Sequence, residues 1–126
     1  MIPDRDKAEA LLQELIGDHI IGHDDDQLAM ALQRALIESQ MTVTTAESCT
    51  GGLIASLITR EAGSSQVFGS GFITYANTGK NRILGVPKAT LVKHGAVSEP
   101  VVLAMLEGAL AKSQSDIGIA VSGIAG

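Results

Sequence analysis

Residues 41–59, MTVTTAESCTGGLIASLIT, decide the fold class. The run VTTA within them is β-branched, which is typical of a short buried strand. The segment ESCTGGLIASLIT follows at once and places its apolar residues at helical spacing. The stretch therefore predicts a strand, a turn that contains Gly51 and Gly52, and a helix.

The rest of the chain continues this alternation. Two further segments, VFGSGFITYA and DIGIAVSG, predict a second and a third strand, with Gly69 and Gly71 marking a bulge or a close backbone approach. The near-continuous apolar character of DIGIAVSG is typical of an interior strand. Helices or helical turns are predicted over 7–17, from residue 27, over 77–85, over 86–97 and after Ser98, with Asp26 capping the second and Ser98 the last. The alternation predicts an α/β fold with a partly parallel sheet.

Charge is distributed unevenly. The 126 residues carry 9 Lys and Arg against 14 Asp and Glu, a formal charge of −5. Residues 1–26 contribute a net −6 and residues 27–126 a net +1. Since only 2% of the residues are aromatic, we expect no nucleic-acid partner. The basic residues Lys80, Arg82, Lys88 and Lys93 suit one small anionic ligand, although a solvated surface is the preferred interpretation for most of them.

Cysteine content and apolar runs bear on the compartment. A lone cysteine, Cys49, permits no intramolecular disulfide. The start MIPDRDKAEA lacks the cationic and apolar regions of a secretory signal, and no apolar run reaches the roughly 18 residues that cross a bilayer. We therefore expect a cytoplasmic protein without a membrane partner. His, Cys and acidic residues show no ligand spacing, so no metal site is predicted.

The turn at residues 47–52, ESCTGG, is the first candidate for chemistry. Unpaired backbone N–H groups at a helix start, with glycines that allow close approach, can hold an anion or an oxyanion. The turn has the spacing of neither the phosphate loop nor GxSxG. Two interpretations stay open: a functional turn, or one in which Ser48 or Thr50 merely caps the helix.

A nucleophilic serine needs a base. The three histidines, His19, His23 and His94, lie in a linker or a connector and supply no obvious one. A buried lysine can act instead because desolvation lowers its pKa, and Lys80 follows a strand five residues after Tyr75. From the residues alone, an exposed Lys80 and a core Tyr75 are the preferred expectation. Cys49 is either a rival nucleophile or an apolar filler.

Several motifs, in this order, resemble the C-terminal domain of the CinA (competence/damage-inducible protein A) family. They are TAESCTGGLIASLI, GSS, GFITYANTGKNRILGV, HGAVSEPV and IAVSGIAG. The resemblance implies a layered α/β/α domain. It also implies an amidohydrolase that deamidates nicotinamide mononucleotide to nicotinate mononucleotide and ammonia, as stand-alone domains of this family do.

Residue roles follow from the same resemblance. The serine nucleophile falls on Ser48, with Tyr75 and Lys80 as the other catalytic residues. Backbone N–H groups near Thr50 and Gly51 would stabilise the oxyanion. The implied substrate-binding residues are Cys49, Thr50, Gly51, Gly52, Ser122 and Gly123. The expected partner is a small-molecule nucleotide substrate, with no metal and no cofactor.

The resemblance also sets the expected domain organisation. Residues 1–26 form an N-terminal helix and acidic linker that is similar to the stretch joining the two domains of CinA. Residues 27–126 form the amidohydrolase domain, which we expect to be incomplete at its C-terminus, so that copies of the chain associate. Ser122 stands where the family usually has Thr. The alternative function is a catalytically silent nucleotide-binding or regulatory module of the same fold.

Overall fold

The computed structural model describes residues 5–124 and confirms the predicted alternation of strands and helices. Its helices are α1 (Arg5–Ile16), α2 (Leu28–Ser39), α3 (Leu53–Thr59), α4 (Asn77–Leu84), α5 (Lys88–His94) and α6 (Glu99–Ser113). Its strands are β1 (Val43–Glu47), β2 (Phe68–Ile73) and β3 (Ile117–Val121), and two short 3-10 helices span Gly17–His19 and Ser64–Gln66. Ala125 and Gly126 of the IAVSGIAG motif lie outside the described residues.

The described sheet has three parallel strands in the order β2-β1-β3. Every residue of β1 is buried, as expected for a central strand. Between the pairs Val43↔Phe68 and Thr45↔Gly71, strand β2 contains one residue more than β1, which confirms a bulge near Gly69. A Cβ on Gly71 would overlap the Thr45 hydroxyl, so the predicted close approach is confirmed as well.

Strand β3 corrects one expectation. Within residues 5–124 it pairs with β1 alone and forms one edge of the sheet, so it is not an interior strand there. Its residues are partly exposed, from Ile117 onward. A continuous apolar run reports burial of the two faces of a strand, and it carries no information on the number of its neighbours.

Helices cover both faces of the sheet, which gives the α/β/α layering. On one face, the core of α4, α5 and α6 packs on β1; it contains Ala46, Leu84, Val86, Leu91, Val101, Met105 and Ala109. On the other face, α2 and α3 contribute Leu36 and Ile58 to a second core with Val43 and Val67. Because side chains alternate along a strand, neighbouring residues of β1 reach different cores.

Two predicted caps differ from the structure. Gln27, not Asp26, precedes α2, and its side chain makes no capping bond. The Asp26 carboxylate instead accepts hydrogen bonds from Arg34 at 2.9 and 2.8 Å and from the His23 backbone N–H. The Arg34 guanidinium and this N–H lower the pKa of Asp26 to about 2. Ser98 does precede α6, but its hydroxyl donates to the Gly95 carbonyl rather than capping the helix.

Helix α1 forms where the spacing predicts it and is followed directly by Gly17. None of its residues is buried, and the side chains of Leu11, Leu12, Leu15 and Ile16 are all exposed. The division into residues 1–26 and 27–126 stays a prediction. Within residues 5–124, no helix combines the length and the apolar character that a bilayer crossing requires.

Gly108 makes the contact between α6 and α4 possible, because a Cβ there would overlap the backbone carbonyl oxygen of Leu84. We expect Gly108→Ala to lower the free energy of unfolding by about 1–3 kcal/mol, since the two helices must separate. Gly69→Ala is the control, because its added methyl group would meet no atom within 4 Å. Urea unfolding of both variants measures the difference; equal stabilities would contradict the packing argument.

Candidate active site

The site lies at the carboxyl ends of the three parallel strands, which is where open α/β sheets bind ligands. Ser48 follows β1, Thr74 follows β2 and Ser122 follows β3. Backbone hydrogen bonds hold these ends together: the Thr74 N–H donates to the Glu47 carbonyl at 2.9 Å, and the Ser48 N–H donates to the Val121 carbonyl at 3.0 Å.

Lys80 is completely buried and reaches this edge from α4. Its Nζ lies 2.9 Å from Ser48 Oγ, 2.8 Å from the Thr74 carbonyl oxygen and 3.0 Å from the Tyr75 carbonyl oxygen. As an ammonium ion, Lys80 can donate one hydrogen bond to each oxygen. As a neutral amine it donates to the two carbonyls, and its lone pair then faces the Ser48 hydroxyl.

The protonation of Lys80 follows from its surroundings. Burial lowers the pKa of the Lys80 amine below its ordinary value, and the nearby charge of a Cys49 thiolate acts in the opposite direction. Within residues 5–124, no carboxylate forms an ion pair with this amine. A larger fraction of Lys80 is therefore neutral near pH 7 than is the case for a lysine in water.

The structure reverses the expectation for the two residues of the ITYANTGK motif. Lys80 is 0% exposed, whereas Tyr75, expected in the core, is 67% exposed. Lys80 contacts Ser48 directly, so no relay through the Tyr75 phenol is required. The Tyr75 backbone carbonyl accepts a hydrogen bond from Lys80, and a catalytic role for its phenol stays a prediction.

Glu47 lies in the turn that the sequence analysis selected, but its contact with α3 was not predicted. Its buried carboxylate accepts hydrogen bonds from the N–H groups of Ile54 at 2.8 Å and Ala55 at 3.0 Å. It thereby occupies the start of α3, and neither Ser48 nor Thr50 caps that helix through its side chain. An acidic residue shortly before a helix start is the sequence signal that indicates this contact.

The pKa of Glu47 reflects two opposing effects. Burial alone raises it, but the hydrogen bonds from the N–H groups of Ala55 and Ile54 outweigh burial. The net effect lowers the pKa below its ordinary value. Glu47 is therefore ionised at neutral pH, and its carboxylate is the anion that lies at the start of α3.

The turn after Ser48 leaves N–H groups for a ligand. The Gly51 N–H donates to the Ser48 carbonyl at 3.1 Å, so it is not the free donor that the resemblance implies. The N–H groups of Cys49 and Thr50 make no hydrogen bond within residues 5–124. Gly51 and Gly52 have φ of 60° and 101°, values that favour glycine and allow the sharp turn.

The remaining predicted contacts surround this turn. The Ser122 hydroxyl donates to the Ala96 carbonyl at 2.8 Å, which leaves its oxygen as an acceptor. A Cβ on Gly123 would lie 3.1 Å from the Cys49 sulfur, so these two residues are adjacent. Substrate contacts by Cys49, Ser122 and Gly123 stay predictions.

Residues 5–124 contain no group of three or more His, Cys, Asp or Glu side chains placed to hold a metal ion.

Comparison with known proteins gives a consistent result. A family model described as the CinA C-terminal domain matches residues 25–126. CinA-like proteins of Synechococcus sp. strain CC9902 and Akkermansia muciniphila are 51% and 48% identical over 118 and 120 residues. These alignments cover 94% and 95% of this chain but only 28% and 29% of the relatives, so the chain spans less than a third of their length.

Solved structures agree. The crystal structure of a competence-damaged protein (CinA) superfamily protein from Escherichia coli has a TM-score of 0.79 and 35% identity, covering 89% of this chain and 67% of the other. The competence damage-inducible protein A of Klebsiella pneumoniae has a TM-score of 0.75 and 43% identity, covering 75% and 59%.

Glu47→Gln tests the cap of α3. An amide offers one acceptor oxygen where the carboxylate offers two, so we expect the variant to lose about 1–3 kcal/mol of stability at neutral pH. Because folding lowers the pKa of Glu47, this contribution is complete above the unfolded value of 4.5 and is lost as the pH falls through the folded value. Thermal unfolding from pH 7 to pH 3 of wild type and variant measures it.

The control is Glu107→Gln, which alters an exposed carboxylate on α6. We expect this variant to follow wild type throughout the pH range. A constant stability difference between Glu47→Gln and wild type down to pH 3 would show that the carboxylate charge does not stabilise α3.

Proposed function

The chain belongs to the CinA C-terminal domain family, and from that premise we propose that it is a nicotinamide-nucleotide amidohydrolase with Ser48 as nucleophile and Lys80 as general base. The observation that carries the proposal is the buried contact of 2.9 Å between Lys80 Nζ and Ser48 Oγ. A serine beside an amine of lowered pKa is a recognised arrangement for nucleophilic catalysis.

The first step forms an acyl-enzyme. Neutral Lys80 accepts the Ser48 proton while Ser48 Oγ attacks the carboxamide carbon of nicotinamide mononucleotide. The carbonyl oxygen becomes an oxyanion, and we assign the N–H groups of Cys49 and Thr50, which have no partner within residues 5–124, as its hydrogen-bond donors. The C–N bond then breaks as the Lys80 ammonium returns its proton to the leaving nitrogen, which departs as ammonia.

The second step restores the enzyme. A water molecule attacks the ester carbon with Lys80 again as base, and nicotinate mononucleotide leaves as Ser48 regains its proton. The Thr74 and Tyr75 carbonyls support both steps, because they accept hydrogen bonds from the lysine in either protonation state. They fix the position of the amine without supplying a negative charge that would raise its pKa strongly.

The second candidate function is a catalytically silent nucleotide-binding module. Ser48 is only 6% exposed, and two clefts of about 400 and 630 Å³ are lined by other residues. These observations favour binding without catalysis, whereas the Lys80 contact favours the enzyme. Ammonia release from nicotinamide mononucleotide distinguishes the two functions.

Substitution of the nucleophile gives the first kinetic prediction. We expect Ser48→Ala to lower the rate of ammonia release on the order of 10⁴-fold or more, because no other hydroxyl contacts Lys80 among the described residues. Cys49→Ala keeps the backbone N–H and is expected to retain most of the rate. Loss of turnover in a folded Cys49→Ala variant would instead identify the thiol as nucleophile.

The pH dependence tests the base. Since neutral Lys80 is the active form, we expect kcat/KM to rise with pH through the lowered pKa and to level off above it. Lys80→Arg is expected to be inactive because a guanidinium stays protonated, and Lys80→Met because it has no amine. An active Lys80→Arg variant with the wild-type pH profile would reduce Lys80 to a positioning charge.

A further inference from the structure

A cleft of about 400 Å³ lies between α4 and α5, and Ser48 is not among the described residues that line it. Asn77, Thr78, Asn81 and Arg82 line it from α4, and Lys88, Leu91 and Val92 line it from α5. Its volume is within the range of small-molecule sites. Its lining combines two cations and three neutral polar side chains with an apolar wall, and no acidic residue among residues 5–124 lines it.

The charge of this region is one-sided. Between Glu61 and Glu99 the sequence contains no Asp or Glu, whereas Arg82 and Lys88 both lie in this interval. Both side chains are exposed, and neither forms an ion pair within residues 5–124. Two cations on one cleft attract an anion when no carboxylate neutralises them, as is the case among the described residues.

The walls of the cleft are held in place without a ligand. The Asn81 side-chain amide donates to the Val86 carbonyl at 2.8 Å, and the Val86 N–H donates to the Lys80 carbonyl at 3.1 Å. These bonds fix the turn that leads from α4 to α5. Leu91 is 8% exposed and belongs to the core, whereas Val92 is 87% exposed and can contact a ligand.

The cleft and the Ser48 site occupy different sides of α4. Asn77 and Asn81 are four residues apart on α4, so they are neighbours on its surface. Thr78 and Arg82 form a second such pair next to the first. Lys80 points toward the sheet and is completely buried. A ligand in the cleft would therefore contact residues of α4 other than the lysine that supplies the base.

We propose that this cleft binds an organic phosphate. Arg82 and Lys88 would hold the phosphate, Asn77 and Thr78 would add hydrogen bonds, and Leu91 and Val92 would contact an attached ring. An apolar wall next to two cations matches an amphipathic anion better than it matches inorganic phosphate alone. The proposed binding does not depend on the amidase function.

Phenyl phosphate is the probe, since it joins a ring to a phosphate and carries no amide to hydrolyse. We expect saturable binding to the wild-type chain by calorimetry, with weaker binding of phenol and of inorganic phosphate. The double variant Arg82→Gln, Lys88→Gln is expected to lose at least about tenfold in affinity, since each charged hydrogen bond to phosphate is strong. Val92→Asp, at an exposed position, should weaken binding by adding a negative charge to the lining.

Lys112→Gln is the matched control, because it removes an exposed cation outside the cleft. We expect it to bind phenyl phosphate as wild type does. Absence of saturable binding by wild type, or equal affinity in the wild type and the double variant, would overturn the proposal.

Kinetic measurements distinguish two sources of the phosphate, the nucleotide substrate and a separate phosphate ester. If the nucleotide substrate supplies it, the double variant raises KM for nicotinamide mononucleotide at unchanged kcat, and phenyl phosphate inhibits competitively. If a separate phosphate ester occupies the cleft, phenyl phosphate binds at saturating nicotinamide mononucleotide and the KM stays the same. Either result supports the cleft as a phosphate site, and calorimetry measures that site even if ammonia release is absent.

Discussion

A lysine amine that is removed from water must obtain its hydrogen bonds from the protein, and Lys80 obtains three from oxygens at the ends of β1 and β2. This requirement constrains the whole edge of the sheet. The Thr74 and Tyr75 carbonyls must point inward, which fixes the loop between β2 and α4. Ser48 must follow β1 on the same face. Without these oxygens, a fully buried amine would be too costly to retain.

Strand β1 keeps the Glu47 carboxylate apart from the Ser48–Lys80 pair. Side chains alternate along a strand, so Glu47 faces α3 while Ser48 faces α4. Glu47 satisfies its charge with the N–H groups of Ile54 and Ala55 and does not pair with Lys80. If the two had shared a face, an ion pair would have kept Lys80 protonated. The alternation therefore permits both a capped helix and a lysine of lowered pKa.

The sequence predicted the order of elements well, because VTTA is rich in β-branched residues and LIASLIT has its apolar residues at helical spacing. It also placed Ser48 at the turn and Lys80 beyond β2. It could not predict the exposure of Lys80 and Tyr75, since five residues of separation do not fix which side chain turns inward. The contacts of Glu47 and of Asp26 were missed for a similar reason: both depend on loop geometry, and local caps compete with tertiary partners. The sequence could not predict that β3 lies at an edge of the described sheet, because an apolar run does not reveal how many strands pair with it.

The lowered pKa of Lys80 also links the chemistry to folding. Between the folded pKa and the ordinary value of 10.5, the unfolded chain binds more protons than the native protein does. Stability therefore rises with pH across that interval, and below the folded pKa the buried ammonium imposes its full cost. The proposed base is active only in its neutral form, so activity levels off above the folded pKa, whereas the cost of burying Lys80 continues to fall until the pH reaches the ordinary value. An unperturbed histidine already titrates near neutrality, whereas a lysine can act as a base there only because the fold excludes water from its amine.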